Sequence, residues 1–249
     1  MSSMRSTLRV LVVVHLLGLS AHAIVWRGDV EQIESRPSGE MKQAGKVYYS
    51  RLQVFGGSCV ALGGEWVLTC RHGTERWSAD ALRVRFPALG DEKYRVKRVV
   101  LCQDADLALF ELQEPVKDAE ELAVYPGGRQ RGKRAWIGGF GLSGPTGHLE
   151  TVGAFRAGHN RIDGIRREKL SISLSKPDAA DCESDEALPA TFDSGSPLFL
   201  KTEDGWRLAG IASTASNRSK PTYGDRGNYA RVAPQVDWLQ EVMASDKRE

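Results

Sequence analysis

The sequence predicts an all-β protein built from closed antiparallel barrels or a sandwich and ending in one helix. Three observations carry that reading. Apolar and β-branched residues recur in short alternating runs, as in Leu82–Phe86 and Tyr94–Leu101. Polar turns containing glycine or proline separate these runs. Helical spacing occurs in only one stretch, after Pro234, so strands do not alternate with helices as a parallel sheet requires.

Residues 1–23 stand apart from the rest. Arg5 and Arg9 precede the apolar run Leu11–Leu19, which is followed by Ser20-Ala21-His22-Ala23. A basic start, a short apolar core and a small-x-small cleavage site form the pattern of a secretory signal. The run is too short for a membrane span, and no later segment reaches that length. The product beginning at Ile24 is therefore expected to be secreted or periplasmic, with no membrane contact after signal removal.

The 249 residues are enough for one large or two small cored domains. With 34 basic and 32 acidic residues, net charge gives no attraction to nucleic acid or membrane. The one basic cluster, Arg129, Arg131, Lys133 and Arg134, reads as a solvated loop. Ala135–Gly141 ends glycine-rich but lacks a following Gly-Lys-Ser/Thr, so it does not cradle phosphate. No cofactor or metal site is expected.

Taken in order, residues 29–43 read as loop and Val47–Phe55 as a strand. Ser58–Leu62 and Trp66–Cys70 make a hairpin around Gly63-Gly64. Strands are expected at Leu82–Phe86, Tyr94–Leu101 and Leu107–Leu112, with Pro115–Tyr125 as a connector. Further strands follow from Ala135, at Gly147–Phe155 and at Lys169–Leu174; Lys176–Ala190 is a long polar loop. Leu198–Leu200, Trp206–Ile211 and Asn228–Val232 complete the series. Beyond Pro234, Val236, Leu239, Val242 and Met243 share one face of a helix.

Four cysteines (Cys59, Cys70, Cys102 and Cys182) allow three complete pairings, and export permits disulfides. Positions across the hairpin favour Cys59–Cys70, which leaves Cys102–Cys182; inert buried thiols are the alternative.

The chemistry centres on Thr191-Phe192-Asp193-Ser194-Gly195-Ser196-Pro197, where glycine after a serine permits a tight turn that projects a hydroxyl. His72 lies beyond the run Trp66-Val67-Leu68, and Asp106 just before Leu107-Ala108-Leu109. These residue types are a hydroxyl nucleophile, its base and the base's orienter. Asp104 and Ser196 are the neighbouring alternatives. His148 and His159 both read as lying in polar loops, which leaves His72 as the base.

In that order these residues resemble the chymotrypsin/trypsin-like serine peptidase family, in its secreted form. Trp66-Val67-Leu68-Thr69-Cys70-Arg71-His72-Gly73 resembles the WVLTAAHC block, and Asp106-Leu107-Ala108-Leu109 the D-[IL]-A-L block. Phe192–Pro197 resembles GDSGGP; Leu208–Ser213, Tyr229–Val232 and Val236–Leu239 resemble later strands and the terminal helix. The resemblance implies two six-stranded antiparallel β-barrels with a C-terminal helix, over 24–125 and 126–249. It implies an endopeptidase that cleaves polypeptides through an acyl-enzyme, acting as a monomer open to protein inhibitors. His72, Asp106 and Ser194 would be the triad, with Ser213 supporting Asp106.

The resemblance also assigns roles where the chain departs from the family. Backbone N–H groups of Phe192 and Ser194 would form the oxyanion hole, although the family has glycine at the Phe192 position. Positive φ there would strain phenylalanine, and loss of one donor is worth about 3 kcal/mol. Ile24 and Asp193 would form the activation pair, with signal removal itself freeing the Ile24 ammonium. Gly73 replaces the cysteine after the histidine, so a Cys59–Cys70 bridge would staple the hairpin instead. Leu188, Thr214 and Ala215 match pocket positions; Leu188 is no aspartate, so a small or apolar residue before the scissile bond is favoured over Lys or Arg. Asp185 or Glu186 folding into the pocket would reverse that preference. A catalytically weak or inactive binding module on the same fold is the alternative function, and an esterase a third.

Overall fold

The computed structural model describes residues 24–30, 33–50, 54–148, 151–180, 182–216 and 220–245. The signal read at 1–23 lies outside the described residues.

The chain opens with β1 (Val25–Trp26) and then builds a first lobe. Its strands are β2 (Ala44–Tyr49), β3 (Val54–Gly63), β4 (Trp66–Thr69), β5 (Leu82–Arg85), β6 (Lys93–Leu101) and β7 (Ala108–Leu112). They close into a barrel in the order β2-β3-β4-β7-β6-β5. Alternation along the strands decides what fills it. Cys59, Ala61, Val67, Val84 and Phe110 point into the barrel core. Their neighbours Val60, Leu62 and Leu68 point outward, into a cluster shared with the second lobe.

The strand expected over Val47–Phe55 is a chain reversal: Tyr48 pairs with Phe55 and Tyr49 with Val54. Bulky residues on both arms carry the apolar pattern through the reversal, so periodicity alone reads one strand.

The second lobe contains β8 (Arg134–Gly139), β9 (Leu142–Pro145), β10 (Thr151–Val152), β11 (Arg156–Arg161), β12 (Gly164–Arg166) and β13 (Lys169–Ser173). It continues with β14 (Ala187–Leu188), β15 (Pro197–Thr202), β16 (Gly205–Ala215) and β17 (Arg226–Arg231). Seven strands form one sheet, ordered β11-β8-β15-β16-β17-β13-β12. The first lobe is thus a closed barrel and the second a half-barrel, because edge strands β11 and β12 do not pair with each other. A small sheet, β10-β9-β1-β14, inserts β1 into this second lobe although β1 precedes the first in sequence.

Two expectations for this lobe change. His159 lies in β11, not in a loop; that strand is polar and lacks β-branched residues, so its sequence carries little strand signal. Among the described residues of Gly147–Phe155, only β10 is strand, because Gly147 and Gly153 turn the chain with φ of 82° and 85°.

The helix α1 (Val236–Ser245) follows a 3-10 turn containing Pro234. It buries Leu239 and packs Trp238, Val242 and Met243 on the interlobe cluster. No helix among the described residues is long and apolar enough to cross a membrane.

All four cysteines are free thiols, so the expected disulfides do not form. Val60 pairs with Leu68 and Ala61 with Val67, a register that sets Cys59 opposite Thr69. Cys70 is one residue further on and faces the interlobe cluster, whereas Cys59 faces the barrel interior. The Cys102 thiol donates to Gln235 Oε1 at 3.3 Å, and that of Cys182 to the Pro177 carbonyl at 3.7 Å.

Candidate active site

His72, Asp106 and Ser194 meet in the cleft between the lobes. His72 follows β4 in a turn closed by Thr74 N–H donating to the Arg71 carbonyl at 2.8 Å. The Arg71 guanidinium donates to the Cys102 carbonyl at 3.1 Å, tying this turn to the loop that carries Asp106. Asp106 accepts from the His72 backbone N–H at 2.9 Å with one oxygen, and its other oxygen lies 2.7 Å from His72 Nδ1. Ring and backbone of the histidine are therefore gripped by one carboxylate.

Ser194 stands 3.0 Å from His72 Nε2, on the far side of the ring from Asp106. Its backbone is locked to both lobes. The Ser194 carbonyl accepts from Ser58 N–H at 2.8 Å, and Gly195 N–H donates to the Ala212 carbonyl at 2.8 Å. Gly195 adopts φ 93°, and a Cβ there would fall 2.0 Å from the Ser58 carbonyl oxygen. Glycine at this position lets the first lobe approach closely enough to bring histidine to serine.

Among the described residues, the His72 ring bonds to neither neighbouring alternative: Ser196 is fully buried, and Asp104 shares a cavity of about 340 Å³ with His72 and Asp106. Ser213 donates to Asp106 Oδ2 at 2.5 Å.

Electrostatics follow from this geometry. The His72 pKa is raised from 6.5 to about 10, first by its hydrogen bond to Asp106 and then by Cys70, whose sulfur lies 3.9 Å from Nε2. Burial pushes Asp106 upward, but hydrogen bonds from His72 and Ser213 outweigh it and carry the carboxyl down to about 2. With the imidazole neutral, the form that exists above the raised His72 pKa, the arrangement of the three side chains permits general-base transfer from hydroxyl to Nε2, and the carboxylate fixes the tautomer.

Phe192 has φ 68°, the left-handed backbone that the sequence comparison made a concern. Its ring lies 5.9 Å from that of Phe55. Among the described residues, the Phe192 and Ser194 N–H groups have no intramolecular acceptor. Asp193 is fully buried, accepting from Ala190 N–H at 3.1 Å and Gly141 N–H at 3.2 Å. Burial raises its pKa to about 7 against the opposing pull of those N–H groups. Ile24 is fully buried, and Val25 pairs with Gly144 and Leu188, near the segments that hold Asp193.

The family model for Trypsin matches residues 32–239. The chain belongs to the trypsin family of serine peptidases. Its fold is similar to that of neuropsin, a serine protease expressed in the limbic system of mouse brain. That likeness has a TM-score of 0.68 at 17% identity and covers 86% of this chain and 99% of that one.

Within this family member, Thr214 and Ala215 border a small cavity beside Ser194, whereas Leu188 is not among the residues lining it. Leu188 is fully buried beneath, in β14. Pro189, which the sequence comparison did not single out, lines the cavity. Among the described residues, no cluster of His, Cys, Asp and Glu has the arrangement of a metal site.

Proposed function

We propose that this chain is an exported serine endopeptidase that cleaves polypeptides through an acyl-enzyme on Ser194. The observation that carries this reading is the His72 ring held between the Ser194 hydroxyl and the Asp106 carboxylate, at 3.0 and 2.7 Å. As Ser194 Oγ attacks the substrate carbonyl, its proton passes to His72 Nε2; the imidazolium then protonates the leaving amine. Water repeats the sequence to release the acid. The unpaired N–H groups of Phe192 and Ser194 are the donors available to the developing oxyanion. Ser213 steadies Asp106 through its hydroxyl.

Export rests on the signal pattern at 1–23, and activation on the proposal that cleavage after Ala23 frees an Ile24 ammonium for Asp193. The buried Asp193 has no cation partner among the described residues, which supports that pairing. Edman sequencing of secreted protein is expected to begin at Ile24; another first residue removes the activation proposal. The expected partners are polypeptide substrates and protein inhibitors, met by a monomer.

The deciding experiment is labelling of the folded, secreted protein with a fluorophosphonate. Stoichiometric labelling at Ser194, abolished by Ser194→Ala, is the expected result. A folded protein that fails to label favours the second reading, a low-turnover binding module. The left-handed backbone of Phe192 is the observation on that side.

A further inference from the structure

We propose that the primary substrate pocket of this chain is a shallow recess, floored by Pro189 and uncharged among its described residues, that selects a small side chain before the scissile bond. The inference rests on the peptidase reading above and names its substrate class: peptides cleaved after Gly, Ala, Ser or Val.

The recess beside Ser194 has a volume of about 110 Å³. That is roughly a third of the ~300 Å³ at which pockets for drug-sized ligands begin. Apart from Ser194 and Ser213, its described lining is Pro189, Ala190, Thr191, Ala212, Thr214 and Ala215, none of them charged.

Pro189 limits the depth. A Cβ built on Gly227 would lie 2.4 Å from Pro189 Cγ and 2.5 Å from Cδ, so the ring rests directly on the backbone of β17. Gly227 pairs with Ala215 across to β16, which forms the opposite wall. The pyrrolidine ring is tied back to its own backbone and has no extended rotamer through which it can swing aside. Leu188 lies behind, with Cδ1 3.4 Å from the same point, and never reaches the recess. At the wall, Asn228 donates to Thr214 Oγ1 at 3.1 Å and holds that hydroxyl in place.

The two carboxylates that would recruit a basic substrate side chain are engaged elsewhere. Asp185 sits 2.7 Å from His159 Nδ1 and 3.9 Å from the Arg134 guanidinium. Glu186 accepts from Ser175 N–H and Oγ at 3.1 and 2.9 Å, with Arg27 at 4.0 Å. A Lys or Arg side chain would therefore lose water without gaining a counter-ion. Each methylene a pocket cannot house is worth about 10–200-fold in kcat/KM, so a ring or long chain is strongly disfavoured.

The test uses the full secreted protein and a peptide library varied at the residue before the cut, run beside a fluorophosphonate that carries no such side chain. The expected profile favours Ala, Ser, Gly and Val at least about tenfold over Leu, Phe, Lys and Arg. Pro189→Gly is expected to raise the Leu-to-Ala ratio by about tenfold or more. Labelling at Ser194 together with cleavage after large or basic residues overturns this inference and leaves the peptidase reading standing. Absence of labelling in the folded protein overturns both. The wild-type profile decides the matter even if the variant fails to fold.

Discussion

Among the described residues, two histidine–aspartate pairs make the same contact. His72 Nδ1 and His159 Nδ1 each lie 2.7 Å from an Asp Oδ2, of Asp106 and Asp185 respectively. What surrounds them differs. The His72 side chain is 46% exposed at the cleft and presents Nε2 to Ser194. That of His159 is 16% exposed, its ring parallel to Trp136 within 13° and packed on Trp206. An imidazole–carboxylate contact is thus a structural unit in either setting. A hydroxyl on the other nitrogen, open to solvent, is what distinguishes a candidate for chemistry.

The sharpest way to break this contrast is to truncate both rings. His72→Ala is expected to lower kcat on the order of 10⁴–10⁶-fold with the fold intact. His159→Ala is expected to leave kcat/KM within about threefold while destabilising the second lobe by roughly 1–3 kcal/mol through lost packing. Peptide hydrolysis and thermal melts on the two variants read the difference; equal losses of activity would erase it.

A third buried carboxylate extends the comparison. Asp193, unlike Asp106 and Asp185, faces no histidine, and burial raises its pKa from 3.8 to about 7. In a chain that retains residues before Ile24, the protonated form is favoured on folding. The contribution of Asp193 to stability is then fully present below pH 3.8 and is lost, on the order of 4 kcal/mol, as pH rises through about 7. Asp193→Asn is therefore expected to stabilise that chain at pH 8, and to inactivate and destabilise one beginning at Ile24. Denaturation midpoints of the two forms across pH 4–8 check the opposite signs.

The His72–Asp106 pair has its own window. His72 is raised from 6.5 to about 10, so its contribution is complete below pH 6.5 and is lost as pH rises through the folded value. Asp106 is lowered from 3.8 to about 2, so its contribution is present above pH 3.8 and is lost as pH falls through about 2. Cys70→Ala removes the second cause of the His72 shift. It is expected to move the acid limb of kcat/KM to lower pH, at about 1 kcal/mol in stability for the small cavity. A pH–rate profile with an unmoved limb would remove Cys70 from the site's electrostatics.

The smallest effect is expected at Phe192. Left-handed backbone disfavours phenylalanine by about 1–2 kcal/mol, while its contact with Phe55 returns a similar amount. Phe192→Gly is expected to change stability by less than about 1 kcal/mol and kcat by less than about threefold. Urea denaturation and turnover measure both.

Much of the molecule was legible in its residues because the relevant signals are local. Alternation reports strands such as Leu82–Arg85 and Lys93–Leu101, and the apolar runs beside His72 and Asp106 mark rigid edges that can aim a side chain. Ser194 was marked by the glycine that follows it, which the backbone there requires. Strand β11 escaped notice because its strand character comes from pairing with β8 rather than from its own polar residues. The cysteines misled for a related reason: spacing across a hairpin does not state register, and a one-residue offset puts Cys59 and Cys70 on opposite faces.

The sequence by itself determined the fold class and which residue types were available for chemistry. Tertiary structure alone decided which carboxylate and which serine meet His72, that Pro189 rather than Leu188 lines the recess, and that His159 packs against two tryptophans. Those outcomes depend on contacts between residues distant in the chain, fixed by strand register and close packing, which local sequence pattern does not encode.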